Sequence, residues 1–531
     1  MYNSGMHTWP IISRKEWVGV AILCVFIVLA ISLPFWYGKH VTTDHTVFVG
    51  TRTNNSKDFP SYLAWIEQAR QGHMLFKDLY SSEEQPRTLF NPLFLLIGLI
   101  GNIIGYSNVL LYHVFRILCS ILLLCVGYIF VSLFTDSVRL RAASFFLFGM
   151  GAGLGWVVGI PSVDIIQSEG TNFLTMYESL INTTSLLLIL SIFTLFLTTE
   201  SLKDIKKISG IMLLANLLVL IHGYDIVMVL LITGAYTAIY TYQHWRLLLW
   251  CYLAIGSLPA ILWQLYTLNS NQALGVWATI QTRVPAQKPL AYLATYGILL
   301  ALSVAGAILS DTQKKAKPRF LILWEGILIF LLFNPFSHRF QQKLSLGIFV
   351  PLSVLSSYAL SLTIPEAGPR HKRLIKYSIV YLVMLPFIYT NIYVVARDIH
   401  TFNIHNERIY ISREQHDGLT WIKTNSNENN TILAGTKMSN LIPGFTGRTV
   451  YFGHYDQTID FNGKLEASKK MLASKIIYSD PLRTFLKENK ISYIVEDSEI
   501  RSWGEISTVG RNYLNLVYSN SDIRIYKITS L

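Results

Sequence analysis

The chain reads as an α-helical polytopic membrane protein that ends in an extracytoplasmic α/β domain, and three observations point there. Eleven apolar stretches can be read, near 17–37, 109–134, 142–160, 181–199, 208–222, 226–243, 247–266, 290–310, 319–333, 344–364 and 374–396. Most are long enough to cross a hydrocarbon layer about 30 Å thick. Lys and Arg gather in alternate loops between them, and beyond residue 397 the apolar stretches stop and a soluble pattern begins.

Counted from an inside N-terminus, the alternation puts Arg14/Lys15, Arg139/Arg141, Lys203/Lys206/Lys207, Arg246, Lys314/Lys315/Lys317/Arg319 and Arg370/Lys372/Arg373/Lys376 on the cytoplasmic side. That is the side on which short loops retain positive charge. Segments 38–108, 161–180, the 222–225 turn, 267–289, 334–343 and the tail from 397 then lie outside. The expected address is a plasma (inner) membrane, crossed many times, with a cytoplasmic N-terminus. The first stretch is followed by Pro34, Phe35, Trp36 and Tyr37 and lacks a small-residue cleavage site, so it reads as a retained anchor.

With 52% hydrophobic and 14% charged residues, an ordinary soluble assembly of this length is excluded. A formal charge of +12 and a pI near 9.3 would suit nucleic acid, but much of the excess sits in the inner-loop clusters. Anionic lipid headgroups are the more economical partner, and no nucleic acid is expected. Cys24, Cys119, Cys125 and Cys251 all fall within apolar spans, so the outer loop and tail contain no disulfide framework.

The first outer loop, 38–108, is too long for a linker. Residues 61–72 carry Leu63, Ile66 and Ala69 at the spacing of an amphipathic helix lying on the membrane surface. The segment 90–107 is apolar enough to span, yet a full crossing there would send every later Lys/Arg cluster outside. It is therefore expected as a re-entrant or interfacial pair broken at Gly101/Gly105. In the tail, β-type runs at 431–435, 448–453, 492–497, 515–519 and 523–528 alternate with helical stretches at 464–475 and 481–489, which spells a small α/β domain over 397–531. The turn Asn520-Ser521-Asp522 joins the last two runs as a hairpin.

Several polar groups interrupt this plan. Asp58, followed by Pro60, opens a helix and can serve as its N-cap. It can also be a carboxylate held at the outer surface to take a proton from an acceptor hydroxyl, and the two roles are compatible. The loop 161–180 contains Asp164, Glu169 and Glu178 and no Lys or Arg. It is either a solvated acidic loop or part of a magnesium or manganese site shared by Asp58, Asp164 and Glu169, since oxygen ligands suit those ions. His222, Tyr224 and Asp225 surround Gly223 where two spans meet the outside, a polar group with little structural need and so a substrate-binding candidate. His338, Arg339 and Lys343 stand outside against the positive-inside trend, where they snorkel onto headgroups or bind a phosphate, which Arg grips with two prongs. Arg116 is a buried charge nearer the outer side that could reach the same phosphate, and Glu325 one nearer the cytoplasm with a structural role.

Taken together, the placement resembles the GT-C superfamily of polytopic glycosyltransferases. The matching pieces are Asp58 with Tyr62, QPRTLFNPLF (85–94), GLGW (153–156) followed by Asp164, HGYD (222–225) and FNPFSHRFQQKLSLGIFVPL (333–352). The pattern covers nearly the whole membrane body, residues 1–396, and departs from the family's usual His-Pro-Tyr-Asp at Gly223 and Arg-Arg-Phe at His338. The resemblance implies an inverting glycosyltransferase that takes a hexose or pentose from a polyprenyl-phosphate donor in the outer leaflet and gives it to an extracytoplasmic glycan, lipid or protein. Asp58 would be the catalytic base, and Arg339, helped by Arg116 or His338, would stabilise the departing lipid phosphate. Tyr62, Asp164, Glu169, His222, Tyr224, Asp225 and Lys343 would complete the substrate site, and 90–107 would form part of a groove for the prenyl chain. A lipid donor also agrees with the lack of a Gly-rich nucleotide loop. The alternative is a non-catalytic transporter or assembly protein for a lipid-linked envelope polymer, but the inner halves of the spans contain few polar residues and no inverted repeat stands out.

Overall fold

The computed structural model describes residues 9–52, 58–158, 177–241, 243–282, 289–312, 318–333, 343–362, 378, 382–474 and 480–529. In chain order the elements begin α1 (Arg14–His40), β1 (Thr46–Phe48), α2 (Phe59–Arg70), α3 (Pro92–Ile104), α4 (Asn108–Ser132), α5 (Val138–Met150), α6 (Leu180–Thr198), α7 (Ile205–His222), α8 (Asp225–Tyr240) and α9 (His244–Ser270). They continue with α10 (Gln272–Thr282), α11 (Pro289–Thr312), α12 (Arg319–Phe333), α13 (Phe349–Leu362), α14 (Tyr389–Asn403), β2 (Tyr410–Ser412), α15 (Arg413–Asn425), β3 (Thr431–Ala434) and α16 (Thr436–Thr446). The last are β4 (Thr449–Val450), α17 (Phe461–Leu472), α18 (Pro481–Glu488), β5 (Ile491–Glu496), α19 (Ser498–Trp503), β6 (Leu514–Ser519) and β7 (Arg524–Ile528). They fall into two compact units.

Among the described residues eight helices are long and apolar enough to cross a membrane: Arg14–His40, Asn108–Ser132, Leu180–Thr198, Ile205–His222, His244–Ser270, Tyr292–Ser310, Lys343–Leu360 and Leu382–Asn403. Three of the eleven expected stretches form shorter helices. α8 has 16 residues and α12 has 15. In the third, expected at 142–160, α5 stops after 13 residues because the run Gly151-Ala152-Gly153-Leu154-Gly155 leaves the helix. Its backbone is satisfied from outside: Ala152 N–H donates to Phe387 O (2.6 Å) and Leu154 N–H to Thr295 O (3.0 Å). Backbone freed at such depth persists only where neighbouring segments supply partners.

One unit comprises Met1–Pro34, His113–Gln264 and Arg283–Arg397. Its centre is aromatic, with Phe193 edge-on to both Phe320 and Trp324 at 5.0 Å, an arrangement favoured by the ring quadrupoles. α11 and α13 approach so closely that a Cβ on Gly306 would lie 2.0 Å from the Leu355 carbonyl oxygen. Of the buried acids, Glu16 accepts from Arg141 Nη1 (3.0 Å) and from the Tyr128 hydroxyl (2.8 Å), and one oxygen of Glu325 accepts from Ser303 Oγ (2.5 Å).

The second unit comprises Phe35–Tyr112, Leu265–Thr282 and Asp398–Leu531. A mixed sheet runs in the order β4-β3-β5-β7-β6, with β3 parallel to β4 and β5, and β7 antiparallel to β5 and β6. The expected hairpin closes through Asn520, whose Oδ1 accepts from Asp522 N–H (3.1 Å) and Ile523 N–H (2.8 Å). Sequence-distant pieces join this domain. β1 pairs antiparallel with β2, Ser81 bridges Phe452, and Val450 N–H donates to Leu79 O (2.9 Å). Arg52 and Asp398 form a buried ion pair.

The first loop departs from expectation in two places. The helix at 61–72 exists as α2, but ten of its twelve residues are buried, on the polar side as well as the apolar one. Glu67 is held by Lys423 Nζ and Asn108 Nδ2, each at 2.7 Å, and Gln68 Nε2 donates to Lys77 O (3.1 Å). With its polar face taken up by protein, α2 is packed inside its unit and is not the solvated amphipathic helix its spacing suggests. Of the breaks expected at Gly101/Gly105, the segment 90–107 has the one at Gly105, while the helix runs through Gly101, so it is not a pair. It contains one helix, α3, capped by Asn91 Oδ1 accepting from Leu93 N–H (3.2 Å) and Phe94 N–H (3.3 Å), and it ends at Gly105 in the left-handed region (φ 78°). Thirteen residues rise only about 20 Å, short of a crossing.

Candidate functional site

The first polar centre lies in the second unit, at the head of α2. Asp58 occupies the N-cap position, but its side chain makes no capping hydrogen bond and its backbone is already helical (φ −85°, ψ −24°). The helix start is held by Pro in the first turn instead. The carboxylate faces His454, whose Nε2 lies 3.0 Å from Asp58 Oδ1. The His454 side chain is 4% exposed and that of Asp58 53%, so an open carboxylate rests on a covered imidazole. Ser61, one turn along, accepts from Gln457 Nε2 (3.1 Å). Tyr80 packs against the His454 ring at 5.8 Å.

A second carboxyl, Asp78, is buried nearby in the same unit. Burial pushes it up to about 7, with Glu83 adding to the rise, while the Tyr80 N–H bond and Lys464 pull the other way. Lys464 is lowered from its ordinary value by burial, against the upward pull of Glu83 at 2.7 Å. Tyr62 does not face this centre as a lone ring. It is stacked on Phe94 (5.5 Å, 12°) and Tyr112 (6.0 Å, 5°) in an aromatic column that binds α2 to α3 and to the start of α4.

The other centre lies in the first unit, in the tight link from α7 to α8. His222 ends α7 and Asp225 begins α8, so Gly223 and Tyr224 alone make the turn. His222 Nδ1 is 2.6 Å from Asp225 Oδ2, which also accepts from the Ser185 hydroxyl. A carboxylate at Nδ1 fixes the proton there, so Nε2 accepts from the Tyr224 hydroxyl. The result is a chain running Tyr224 to His222 to Asp225, with Lys343 Nζ 5.8 Å from the Tyr224 ring centre. Asp225 is buried, and its Oδ1 has no hydrogen-bond partner among the described residues. Such a chain can receive a proton or hold a ligand hydroxyl in a set direction.

Arg116 is fully buried in that unit and donates to Tyr177 O (3.0 Å), Ile31 O (3.5 Å) and His113 Nδ1 (3.2 Å). Its guanidinium is largely taken up by backbone. Asp164, Glu169, His338 and Arg339 lie outside the described residues, and with them two of the three expected metal ligands. Among the described residues, no group of three or more His, Cys, Asp or Glu side chains is arranged to hold a metal. Sequence reading singled out Asp58 and the 222–225 turn but not His454, Ser185 or Asp78. The available signal for His454 was the polar triplet His454-Tyr455-Asp456 directly after the apolar run 448–453.

Neither a family model nor a curated protein sequence matches the chain. Solved structures do. The apo oligosaccharyltransferase of Archaeoglobus fulgidus superposes with a TM-score of 0.57 at 14% identity, covering 97% of this chain and 75% of that one. ArnT from Cupriavidus metallidurans bound to undecaprenyl phosphate gives 0.55 at 10% identity over 97% of this chain and 98% of that one. The arabinofuranosyltransferase AftD from Mycobacteria gives 0.53 at 14% identity, over 99% of this chain and 40% of that one. The chain has the fold of the GT-C glycosyltransferases, a helical membrane body with a C-terminal sheet domain.

Proposed function

We propose that the protein is a glycosyltransferase that moves a sugar from a polyprenyl-phosphate donor to an extracytoplasmic acceptor. The observation that carries the reading is the agreement in fold along the whole chain with ArnT, solved with undecaprenyl phosphate. The archaeal oligosaccharyltransferase, solved in one case with an inhibitory peptide and a dolichol-phosphate, adds to it. Asp58 supports the reading chemically, because its carboxylate is half open, is not used to cap α2 and can take a proton from an acceptor hydroxyl. Displacement at the sugar carbon would invert its configuration. The leaving phosphate would be met by Arg339, with His338 and Lys343, since a guanidinium forks onto two phosphate oxygens. Arg116, engaged with backbone carbonyls, is better suited to fixing α4.

His222, Tyr224 and Asp225 would hold sugar or acceptor hydroxyls, and Tyr62, Asp164 and Glu169 remain candidates for the same task. The archaeal enzyme has also been solved with zinc and sulfate. Of the three carboxylates expected to share a magnesium or manganese ion here, Asp58 is described, and Asp164 and Glu169 lie outside the described residues. The working location would be the outer face of a plasma membrane, in contact with its lipids.

The test is sugar transfer by the full chain in lipid nanodiscs, offered synthetic undecaprenyl-phosphate hexoses and pentoses and a cell-envelope fraction as acceptor. Asp58→Asn keeps an oxygen facing His454 and removes the basicity. It should cut turnover by about 10²–10⁴-fold with folding intact. Near-normal turnover in that variant would take Asp58 out of the reaction. Absence of transfer from every lipid donor would favour the transporter or assembly reading.

A further inference from the structure

We propose that His454, contributed by the C-terminal domain, is the positioning residue that orients the reactive carboxylate of Asp58; this rests on the reading of Asp58 as the base. The tautomer is set by the chain itself. His454 Nδ1 accepts the backbone N–H of Asp456 (3.2 Å), so in the neutral ring the proton sits on Nε2, which donates to Asp58 Oδ1 (3.0 Å). An imidazolium would present a proton to the Asp456 N–H as well and lose that bond. A neutral donor is the useful one, because it fixes the carboxylate without the large loss of basicity that a facing positive charge imposes.

The imidazole is itself held from several sides. The backbone turns over it, with Gln457 N–H and Thr458 N–H donating to His454 O at 3.1 and 2.9 Å. Thr458 Oγ1 accepts Gly453 N–H (3.0 Å) and donates to Tyr80 O (2.7 Å), while Ile459 N–H donates to Ser81 Oγ (3.0 Å). Gln457 Nε2 reaches Ser61 on α2 itself (3.1 Å). The donor loop is thus fastened both to the segment 80–81 and to the helix whose N-cap residue it orients. Such support of a reactive group by a fixed neighbour is what holds catalytic geometry within a few tenths of an ångström.

In the transfer, the acceptor O–H proton goes to Asp58 as the new C–O bond forms. The bond from sugar to phosphate breaks, and its electron pair leaves with the phosphate. The proton stays on Asp58, because the one lone pair of the neutral His454 ring, at Nδ1, already accepts the Asp456 N–H.

The experiment compares His454→Ala and His454→Gln in the full chain in nanodiscs, with the undecaprenyl-phosphate sugars above. Ala should lower kcat by about 10–100-fold with KM for the lipid donor unchanged, the range in which loss of an orienting partner falls. Gln, whose side-chain amide can donate in place of Nε2, should recover most of the turnover. Thermal unfolding of both variants separates this from misfolding. An independent arm uses ¹⁵N-histidine NMR on the wild type, with the His454 signals identified by their loss in the Gln variant. They should report a neutral ring protonated at Nε2, and Asp58→Ala should shift the Nε2–H proton. An Nδ1–H tautomer, an imidazolium at neutral pH, or equal turnover of the Ala and Gln variants would overturn the proposal. Should the wild type transfer no sugar, the glycosyltransferase reading fails by itself, and the NMR arm still decides whether His454 orients Asp58.

Discussion

Asp78 meets a demand opposite to that on Asp58. Its Oδ1 accepts the Tyr80 N–H (2.7 Å), while Oδ2 is buried with no hydrogen-bond partner among the described residues. Its folded value of about 7 lies above the ordinary 3.8, so folding favours the protonated form. Stability from this group is full below about pH 4 and declines as pH rises toward 7, where the carboxylate must ionise in the interior. Asp78→Asn keeps the acceptor and carries no charge. It should raise the thermal midpoint at pH 8, by an amount reflecting up to a few kcal/mol, with little gain at pH 4. Scanning calorimetry at the two pH values checks this, and an equal effect at both would show that Asp78 is not ionising. At this scale the sequence was legible where polar residues interrupt apolar ones, as at 222–225, and where a carboxylate opens a helix, as at Asp58. It was silent on His454, whose partner is 396 positions away. No local period encodes such a contact.

Among the elements, α2 shows how a correct helix can be assigned the wrong surroundings. Its apolar positions predict the helix, yet Glu67 and Gln68 look solvent-facing until Lys423, Asn108 and the Lys77 carbonyl come to meet them. Those partners belong to other segments, so the amphipathic signal is real and its interpretation is not local. The tail strands were readable because short β-rich runs bounded by turn residues need no distant information, whereas β1 needs Tyr410–Ser412 to be a strand at all. Close packing of α2 on α16 turns on one residue. A Cβ on Gly444 would lie 2.6 Å from the Pro60 carbonyl oxygen and 3.2 Å from Leu63 Cβ. Gly444→Ala should therefore force the two helices apart and cost about 1–3 kcal/mol despite the better helix propensity of Ala. Unfolding monitored by tryptophan fluorescence is the measurement, and a neutral or stabilising result would show that the helices yield without loss.

For the whole molecule, the charge asymmetry between loops makes a definite statement about sidedness. With Cys24, Cys119, Cys125 and Cys251 replaced, a cysteine at position 420, which is exposed on α15, should react with an impermeant maleimide from outside intact cells. One at position 315 should not. Reaction at both positions would overturn the span alternation and, with it, the outward face proposed for Asp58. The unit that contains Asp58 and His454 is also discontinuous, drawn from 35–112, 265–282 and 398–531. During synthesis the first of these pieces emerges well before the last. At roughly 5–20 residues per second, the nearly 300 residues between them take on the order of 15–60 s. For at least that interval Asp58 has no His454, Arg52 has no Asp398, and β1 is an unpaired edge. In a nascent chain arrested before its final segment, residues 35–112 lack the partners that complete their unit, and the open edge of β1 is a surface for chaperones to cover until β2 arrives.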